Sequence, residues 1–292
     1  MIPRSWSKEI HTFRLQLISA LTEIYGEGEA NARTQLLMEE LVGQGAMPSH
    51  SSEEFEPSVY QRATSLAELL LAQHPLQYLI QKAPFYGRDF KVGPGVLIPR
   101  PETELLAVMA RDRIKAMAKA TSLLDGGSGS GCLAITIERE LALMQQRVKI
   151  VGIDISEQAL KLARQNGRNL GYQGSFKQLD LFKAQLHDFQ DLDLMVSNPP
   201  YIPKQERASL AAQVRDHEPD EALFVPDDDP LLFYKRLVYL APHWLRAGGW
   251  LMVECHSDYA ASVQDLFSEG GLHKVQLQRD LSGKDRIVEG QA

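Results

Sequence analysis

Residues 122–135 read SLLDGGSGSGCLAI: an apolar run that ends in Asp125, a loop of glycines and serines over 126–131, and a second apolar run from Cys132. The first run predicts a strand over 122–127, and the second a helix from Cys132 to Leu141. Glycines let the backbone turn tightly and let a ligand approach it without Cβ clashes. The helix that follows opens with N–H groups that lack intrahelical partners. Strand, glycine loop and helix in this order begin a βαβ unit, and the pattern continues downstream. KIVGID (149–154), SFKQLD (175–180), LDLMVSN (192–198) and WLMVEC (250–255) read as strands, with further strands near 274–280 and 286–289. Helical patterns fall at Glu157 to Leu170, Leu231 to Leu245 and Ala260 to Phe267. Strands separated by helices predict an α/β architecture: a Rossmann-like, doubly wound, mostly parallel sheet.

Upstream, the chain has a different character. Apolar residues recur at helical spacing: Ile10, Phe13, Leu17 and Leu21, then Leu36, Leu37 and Leu41, then Leu66, Leu69 and Leu70. Breaks fall at Gly26–Gly28, Gly43–Gly45 and Pro48–Ser52, and a last helix is expected to end at His74-Pro75. This predicts a bundle of four or five short helices over residues 1–84. The stretch PFYGRDFKVGPGVLIP (84–99) mixes aromatic and β-branched residues with Gly and Pro, so a β-hairpin linker is expected over 85–99. The catalytic sheet then takes 100–292.

Composition limits what such a chain does. It has 292 residues, 31 basic and 38 acidic side chains, and a formal net charge of −7. Residues 1–84 carry 6 of the basic and 10 of the acidic groups, more than half of the excess. Proteins that grip nucleic acid through many phosphates carry a basic face, which this balance disfavours. Cys132 and Cys255 lie far apart without metal-ligand spacing, and are expected as buried core thiols in a reducing compartment. The start of the chain has no apolar h-region, and no run approaches the ~20 apolar residues of a membrane span. A soluble, cytoplasmic protein without a bound metal or a membrane partner is therefore expected.

The glycine loop alone leaves two ligands open. Gly129, Gly131 and Ala134 satisfy the GxGxxA spacing of a dinucleotide fold. The run Gly127-x-Gly129-x-Gly131, with Asp125 two residues ahead, suits an S-adenosylmethionine loop better, with Ser128 and Ser130 between the glycines. In that reading Asp125 meets the ammonium group of the methionine moiety. Asp154, at the end of the second strand, has two oxygens to offer a ribose diol. Asp180 can meet an exocyclic amine, and Leu181 or Phe182 can pack on an adenine ring.

Ser197-Asn198-Pro199-Pro200-Tyr201 follows the fourth strand and decides the chemistry. Two prolines fix the backbone and lack N–H groups. The Asn198 side-chain oxygen and the Pro199 carbonyl supply two acceptors, and Tyr201 offers a flat ring. That set suits a planar –NH2 group. Holding both N–H bonds orients a nitrogen whose lone pair is delocalised and favours positive charge on it during attack. The cation that results is acidic and needs no strong base beforehand. The dinucleotide reading gives this tetrad no task.

Seven segments occur in a fixed order: HPLQYL (74–79), VLIPRPETELL (96–106), LLDGGSGSGCLAI (123–135), GIDIS (152–156), VSNPPYIP (196–203), HEPDEAL (217–223) and GKDRIVEG (283–290). In these the chain resembles the protein-(glutamine-N5) methyltransferases, and within them the release-factor glutamine methyltransferases. The resemblance implies a class I methyltransferase fold with a small N-terminal helical bundle. It implies S-adenosyl-L-methionine as cofactor, and class I peptide chain release factors as protein partners, methylated on the glutamine of their GGQ motif. It places Asn198, Pro199, Pro200 and Tyr201 on the glutamine amide, with Arg100, Glu102 and Thr103 near the active site. It puts Gly127–Gly131, Asp154, Leu181 and Asn198 on the cofactor, beside the Asp125 and Asp180 read from the strand ends. The chain departs from the family at Leu181, where a larger aromatic is usual. It departs again at residues 254–259, where Cys255, His256 and Tyr259 stand without the usual glycine and glutamine, and His256 is expected as a strand-end histidine.

Other acceptors share this –NH2 logic. An N6-adenine nucleic-acid methyltransferase would present the same tetrad to a flipped base. A ribosomal-protein glutamine methyltransferase would present it to another protein. The acidic bundle and the acidic segment DHEPDEALFVPDDD (216–229) disfavour nucleic acid, and that segment is expected in a long loop between Tyr201 and Leu231, either as a solvated lid or as a surface that faces a basic partner.

Overall fold

The computed structural model describes residues 5–42, 53–117 and 121–292, so the expected breaks at 43–45 and 48–52 lie outside the described residues. The chain forms two compact units. One takes residues up to Gln81 together with Ala211–His217; the other takes Lys82–Leu210 and Glu218–Ala292.

In the first unit, helices α1 (Ile10–Tyr25), α2 (Glu27–Val42), α3 (Pro57–Leu71) and α4 (Leu76–Leu79) follow one another. Phe13, Leu17 and Leu21 recur every fourth residue, so they share one face of α1. That face packs on Leu37 and Met38 of α2 and on Ala63, Ala67 and Leu70 of α3. The helix expected to reach His74 stops at Leu71. Gln73 then takes φ 62°, and Pro75 caps the start of α4. Its fixed φ suits a helix entry, so the proline opens a new turn instead of closing the old one.

The second unit begins with an antiparallel hairpin, β1 (Lys82–Phe85) and β2 (Arg88–Lys91), joined by Tyr86-Gly87. The hairpin expected over 85–99 thus lies earlier, and residues 92–100 run on without a strand. Alternation explains the placement: Ala83, Phe85 and Phe90 are buried, with exposed or half-buried residues between them. Next comes α5 (Pro101–Ala116), a helix that the strand-and-helix pattern did not single out. Its signals were present: Pro101 in the first turn, Glu102 and Glu104 beside it, Arg113 and Lys115 in the last turn.

The remaining elements are β3 (Ser122–Gly126), α6 (Cys132–Leu143), β4 (Lys149–Asp154), α7 (Glu157–Leu170), β5 (Ser175–Gln178), β6 (Leu192–Ser197), β7 (Ile202–Pro203), α8 (Ala212–Arg215), α9 (Asp220–Leu223), β8 (Phe224–Val225), α10 (Leu232–Trp244), β9 (Leu245–Glu254), α11 (Ala260–Glu269), β10 (His273–Arg279) and β11 (Asp285–Gln291). Seven strands form one sheet in the order β10-β11-β9-β6-β3-β4-β5. Pairing is parallel from β9 to β5, and β11 enters antiparallel between β9 and β10. The mostly parallel doubly wound sheet expected from the sequence is the observed architecture. Strand β9 starts five residues before the expected Trp250, with a register irregularity where its first half meets β6.

Both faces of the sheet are covered, which is why its central strands read as continuous apolar runs. Leu123, Leu194, Val196, Trp250, Met252 and Ile287 point to the side packed by α5 and α6. Their alternates Leu124, Met195, Leu251, Val253 and Val288 pack with Tyr234, Trp244, Val263 and Phe267 of α10 and α11. The stretch between Tyr201 and Leu231, expected as one long loop, holds a 3-10 turn (Lys204–Ser209), two short helices and the parallel pair β7–β8. No helix among the described residues is long and apolar enough to cross a membrane.

The chain runs outward from β3 to β4 and β5, then returns to β6 on the other side of β3. Ligand crevices of open α/β sheets lie at such a reversal, outside the carboxyl ends of the strands. Gly131 fixes how closely α6 approaches it. Its φ is 80°, and a Cβ there would lie 2.8 Å from Phe176 and 3.0 Å from Ile135. Gly129, at φ 54°, has open space around the same position. Gly131→Ala is therefore expected to destabilise the protein by about 2–4 kcal/mol and Gly129→Ala by about 1 kcal/mol, read from urea unfolding midpoints. Equal losses would show that packing under α6 does not set the difference.

Candidate active site

A cavity of about 430 Å³ opens at the carboxyl ends of β3, β4, β5 and β6. That volume suits a small molecule. Its walls come from Gly126–Ser130, Asp154–Ser156, Leu179–Phe182 and Ser197–Pro200, with Gly95–Leu97, Pro99, Arg100 and Thr103 on one side and Pro219, Glu221 and Phe224 nearby.

Asp125 sits at the end of β3, one per cent exposed, and its two carboxylate oxygens have no hydrogen-bond partner among the described residues. The Ser128 hydroxyl donates to the Asp125 carbonyl instead, at 3.1 Å. Burial pushes the Asp125 carboxyl up to about 7, and the charge of Asp154 adds to the rise. The nearby Ser128 hydroxyl and Ala134 N–H oppose it without reaching hydrogen-bond geometry. A buried polar group without a partner is costly, so an orphaned carboxyl on a cavity wall fits a ligand that brings a cation or a donor.

Asp154 ends β4 and lines the same cavity. One of its oxygens accepts from Gly129 N at 2.8 Å and the other from Ser156 N at 2.8 Å. It therefore holds the glycine loop to the second strand, and each oxygen keeps a further lone pair for a ligand. Burial raises its pKa above the usual carboxylate value, against those N–H groups. Asp180 accepts from Phe182 N and lies 3.4 Å from the Lys183 ammonium, so it caps its own turn while lining the cavity. Leu181 and Phe182 line it too, and Phe182 meets Phe233 edge-on at 5.1 Å. Arg236 anchors this wall by donating to the Leu181 and Ala184 carbonyls at 2.9 and 2.6 Å. Gly127, Ser128, Gly129 and Ser130 line the cavity, but Gly131 does not. A Cβ at Gly131 would run into Phe176 and Ile135, so this glycine also sets the packing under α6.

Asn198, Pro199 and Pro200 line the cavity at the end of β6. The Asn198 side-chain NH2 donates to the Thr103 hydroxyl at 3.0 Å. That hydroxyl donates its single proton to Glu254 Oε2 at 2.7 Å. Tyr201, the next residue, is not among those lining the cavity, and its ring lies partly buried against the sheet core. Its hydroxyl donates to Glu254 Oε1 at 3.1 Å, and burial pushes that hydroxyl's pKa up. Glu254 is fully buried, and desolvation raises its pKa while the Thr103 and Tyr201 hydroxyls and the Arg286 charge pull it down. The sequence reading missed Glu254. An acid at the end of the apolar run WLMVE was the available signal, because a charge in such a strand is buried and must be partnered.

Arg100 lines the cavity and donates to Glu218 Oε1 at 2.6 Å. Glu218 is buried, and its other oxygen accepts from Ile98 N at 3.1 Å. Part of the acidic segment 216–229 is thus spent inside the protein, binding the chain near Arg100 to the chain near Pro219. His256 is half-buried after β9, with its Nδ1 accepting from Asp258 N and its Nε2 3.6 Å from Glu206. Cys255 is buried, but Cys132, expected in the core, stands on the cavity wall. Burial pushes the Cys132 thiol up to about 12, so it stays a neutral thiol.

A family model described as "Methyltransferase domain" matches residues 117–277. A release factor glutamine methyltransferase of Bacteroides thetaiotaomicron is 36% identical over 271 residues, covering 92% of this chain and 95% of the relative. The chain belongs to the release factor glutamine methyltransferase family. A relative of the same name from Flavobacterium psychrophilum is 30% identical over 96% of this chain and 98% of its own. Among solved structures, the hMettl16 catalytic domain in complex with MAT2A 3'UTR hairpin 6 has a TM-score of 0.55 at 16% identity, covering 81% of this chain and 82% of that one, a likeness of fold alone. As a member of the family the protein is an enzyme, an S-adenosylmethionine-dependent protein-glutamine methyltransferase. The orphaned Asp125 carboxyl, the free lone pairs of Asp154 and the apolar Leu181–Phe182 wall fit that cofactor's ammonium, ribose and adenine groups.

The Asp125 carboxyl is held near 7, against an ordinary value of 3.8. The folded state therefore keeps this proton more tightly than the unfolded chain. Stability from this group is fully present below about pH 4 and is lost as pH rises through 7. The linked loss at pH 8 is on the order of 4 kcal/mol, since each pKa unit corresponds to about 1.4 kcal/mol. Asp125→Asn is expected to raise the thermal midpoint of the cofactor-free protein at pH 8, with a gain that shrinks toward pH 4. A gain that does not depend on pH would show that Asp125 carries no such proton.

Proposed function

We propose that the protein methylates the side-chain amide nitrogen, N5, of the glutamine in the GGQ motif of class I peptide chain release factors, with S-adenosyl-L-methionine as methyl donor, in the cytoplasm. The observation that carries this reading is the Asn198 amide. Its NH2 is engaged by Thr103, so its oxygen is left as an acceptor beside the Pro199 carbonyl at the cavity wall. The names of the relatives support the release factor as acceptor.

In this reading the glutamine amide gives one N–H to Asn198 Oδ1 and the other to the Pro199 carbonyl, with Pro200 closing the wall beside them. Two acceptors for two hydrogens fix the plane of the amide and favour positive charge on its nitrogen. The cofactor, when bound, supplies an electrophilic methyl group on a sulfonium. Asp125 would hold its ammonium, Asp154 its ribose hydroxyls, Gly127–Ser130 its path over the sheet, and Leu181 with Asp180 its adenine side. Tyr201, its hydroxyl held by Glu254, would offer its ring to the amide. Arg100, held by Glu218, stands at the wall where the peptide would pass. The helical first unit would hold the release factor, and the unit from Lys82 onward would carry the chemistry.

Purified protein and labelled adenosylmethionine test this. Label is expected on a release factor with GGQ and not on its GGA variant. Equal labelling of the GGA variant, or preferential labelling of DNA, would overturn the substrate. Asn198→Ala is expected to lower transfer by roughly 100-fold or more, a far larger loss than any it causes in adenosylmethionine affinity. Near-normal turnover of that variant would remove Asn198 from the acceptor site.

A further inference from the structure

We propose that Glu254 and Thr103 are positioning residues for methyl transfer, setting the orientation and polarity of the Asn198 amide; this rests on the reading of Asn198 as the glutamine acceptor.

An asparagine side chain can present either its oxygen or its NH2 to a cavity by turning half a revolution about its last bond. Only the oxygen-out orientation accepts a substrate N–H. Nothing in Asn-Pro-Pro-Tyr itself chooses between the two. The choice is made behind the cavity wall. Thr103 has one hydroxyl proton, and the buried Glu254 carboxylate takes it at 2.7 Å. The hydroxyl can then only accept from the group at its other side, which is the Asn198 NH2 at 3.0 Å. Glu254 makes no ion pair among the described residues, and it meets a hydroxyl donor on each oxygen, Thr103 on one and Tyr201 on the other. Both oxygens are thereby fixed, and the carboxylate cannot rotate away from Thr103.

The bonds run in one direction, Asn198 to Thr103 to Glu254, and each strengthens the next. Charge drawn through the NH2 group makes the Asn198 oxygen a stronger acceptor at the moment the substrate nitrogen becomes positive. Thr103 is brought to Asn198 by α5, whose first turn it occupies, and Glu254 by the last residue of β9. Three separate elements therefore supply one oriented amide.

The test compares Thr103→Val, Thr103→Ser and Glu254→Gln with the wild type on a GGQ release factor. Thr103→Val keeps the shape and loses the hydroxyl; it is expected to lower kcat roughly 30-fold with adenosylmethionine affinity within about 3-fold. Thr103→Ser keeps the hydroxyl and is expected to restore kcat to within about 5-fold of wild type. Glu254→Gln removes the charge and is expected to lower kcat more than it changes KM. A readout independent of turnover comes from asparagine-selective 15N labelling. The chain has four asparagines, so the side-chain signal of Asn198 is assigned by its loss in Asn198→Ala. Its NH2 protons are expected to exchange slowly in the wild type and faster in Thr103→Val.

Wild-type turnover with an unaffected Thr103→Val would overturn the proposal, as would a Thr103→Ser variant as slow as Thr103→Val. If the wild type fails to label the release factor, the substrate reading falls on its own. The Asn198 signal then decides the positioning role, and one that is insensitive to Thr103→Val overturns it.

Discussion

Strand β6 returns to pair with β3 after the chain has run out through β4 and β5, and this parallel pairing sets the distances at the site. In its register Asp125 lies opposite Val196 and Gly126 opposite Ser197. The Ser197 hydroxyl closes the pair by donating to the Gly126 carbonyl at 2.6 Å. Asn198 thereby reaches the carboxyl edge of the sheet two register positions beyond Asp125, although 73 positions separate them in sequence. A slip of one residue would turn every side chain of β6 to the opposite face of the sheet. The Asp193 carboxylate, which accepts from Thr121 N and Ser122 N at 2.6 and 2.9 Å, ties β6 to β3 in this register.

The site that results holds polar groups in two conditions. Asp125 is orphaned, buried and kept partly protonated, which destabilises the empty protein and leaves a strong partner for a cationic ligand. Glu254, Thr103, Tyr201 and Asn198 are mutually satisfied, which makes that side rigid before any ligand arrives. Placing an unsatisfied group where the cofactor is expected, and a satisfied network where an acceptor must be aimed, gives each half what it needs. Binding energy is available at the first, and preorganisation at the second.

The loops around the cavity are pinned rather than free. Glu218 bonds both Ile98 N and Arg100, Arg236 bonds the carbonyls of the Leu181 turn, and β7 pairs with β8 across the segment after Tyr201. The acidity that the sequence displays after residue 215 is therefore partly internal. Glu218 acts as a tie, so a count of charges along this segment overstates what it offers to a partner.

The sequence by itself determined the βαβ order, the glycine turn and the Asn-Pro-Pro-Tyr corner. These are local: glycine spacing, proline geometry and apolar periodicity act within a few residues of one another. What is not local it left open. Gly131 looks like the other loop glycines until α6 is laid on Phe176. That the Tyr201 hydroxyl is held by Glu254, 53 positions on, is not visible in the motif. Glu254 itself reads as an ordinary strand end. Which way an amide points and which carboxyl is left without a partner depend on groups brought together from α5, β6 and β9. Only the packed sheet decides them, because hydrogen-bond direction and desolvation are set by neighbours in space and not in sequence.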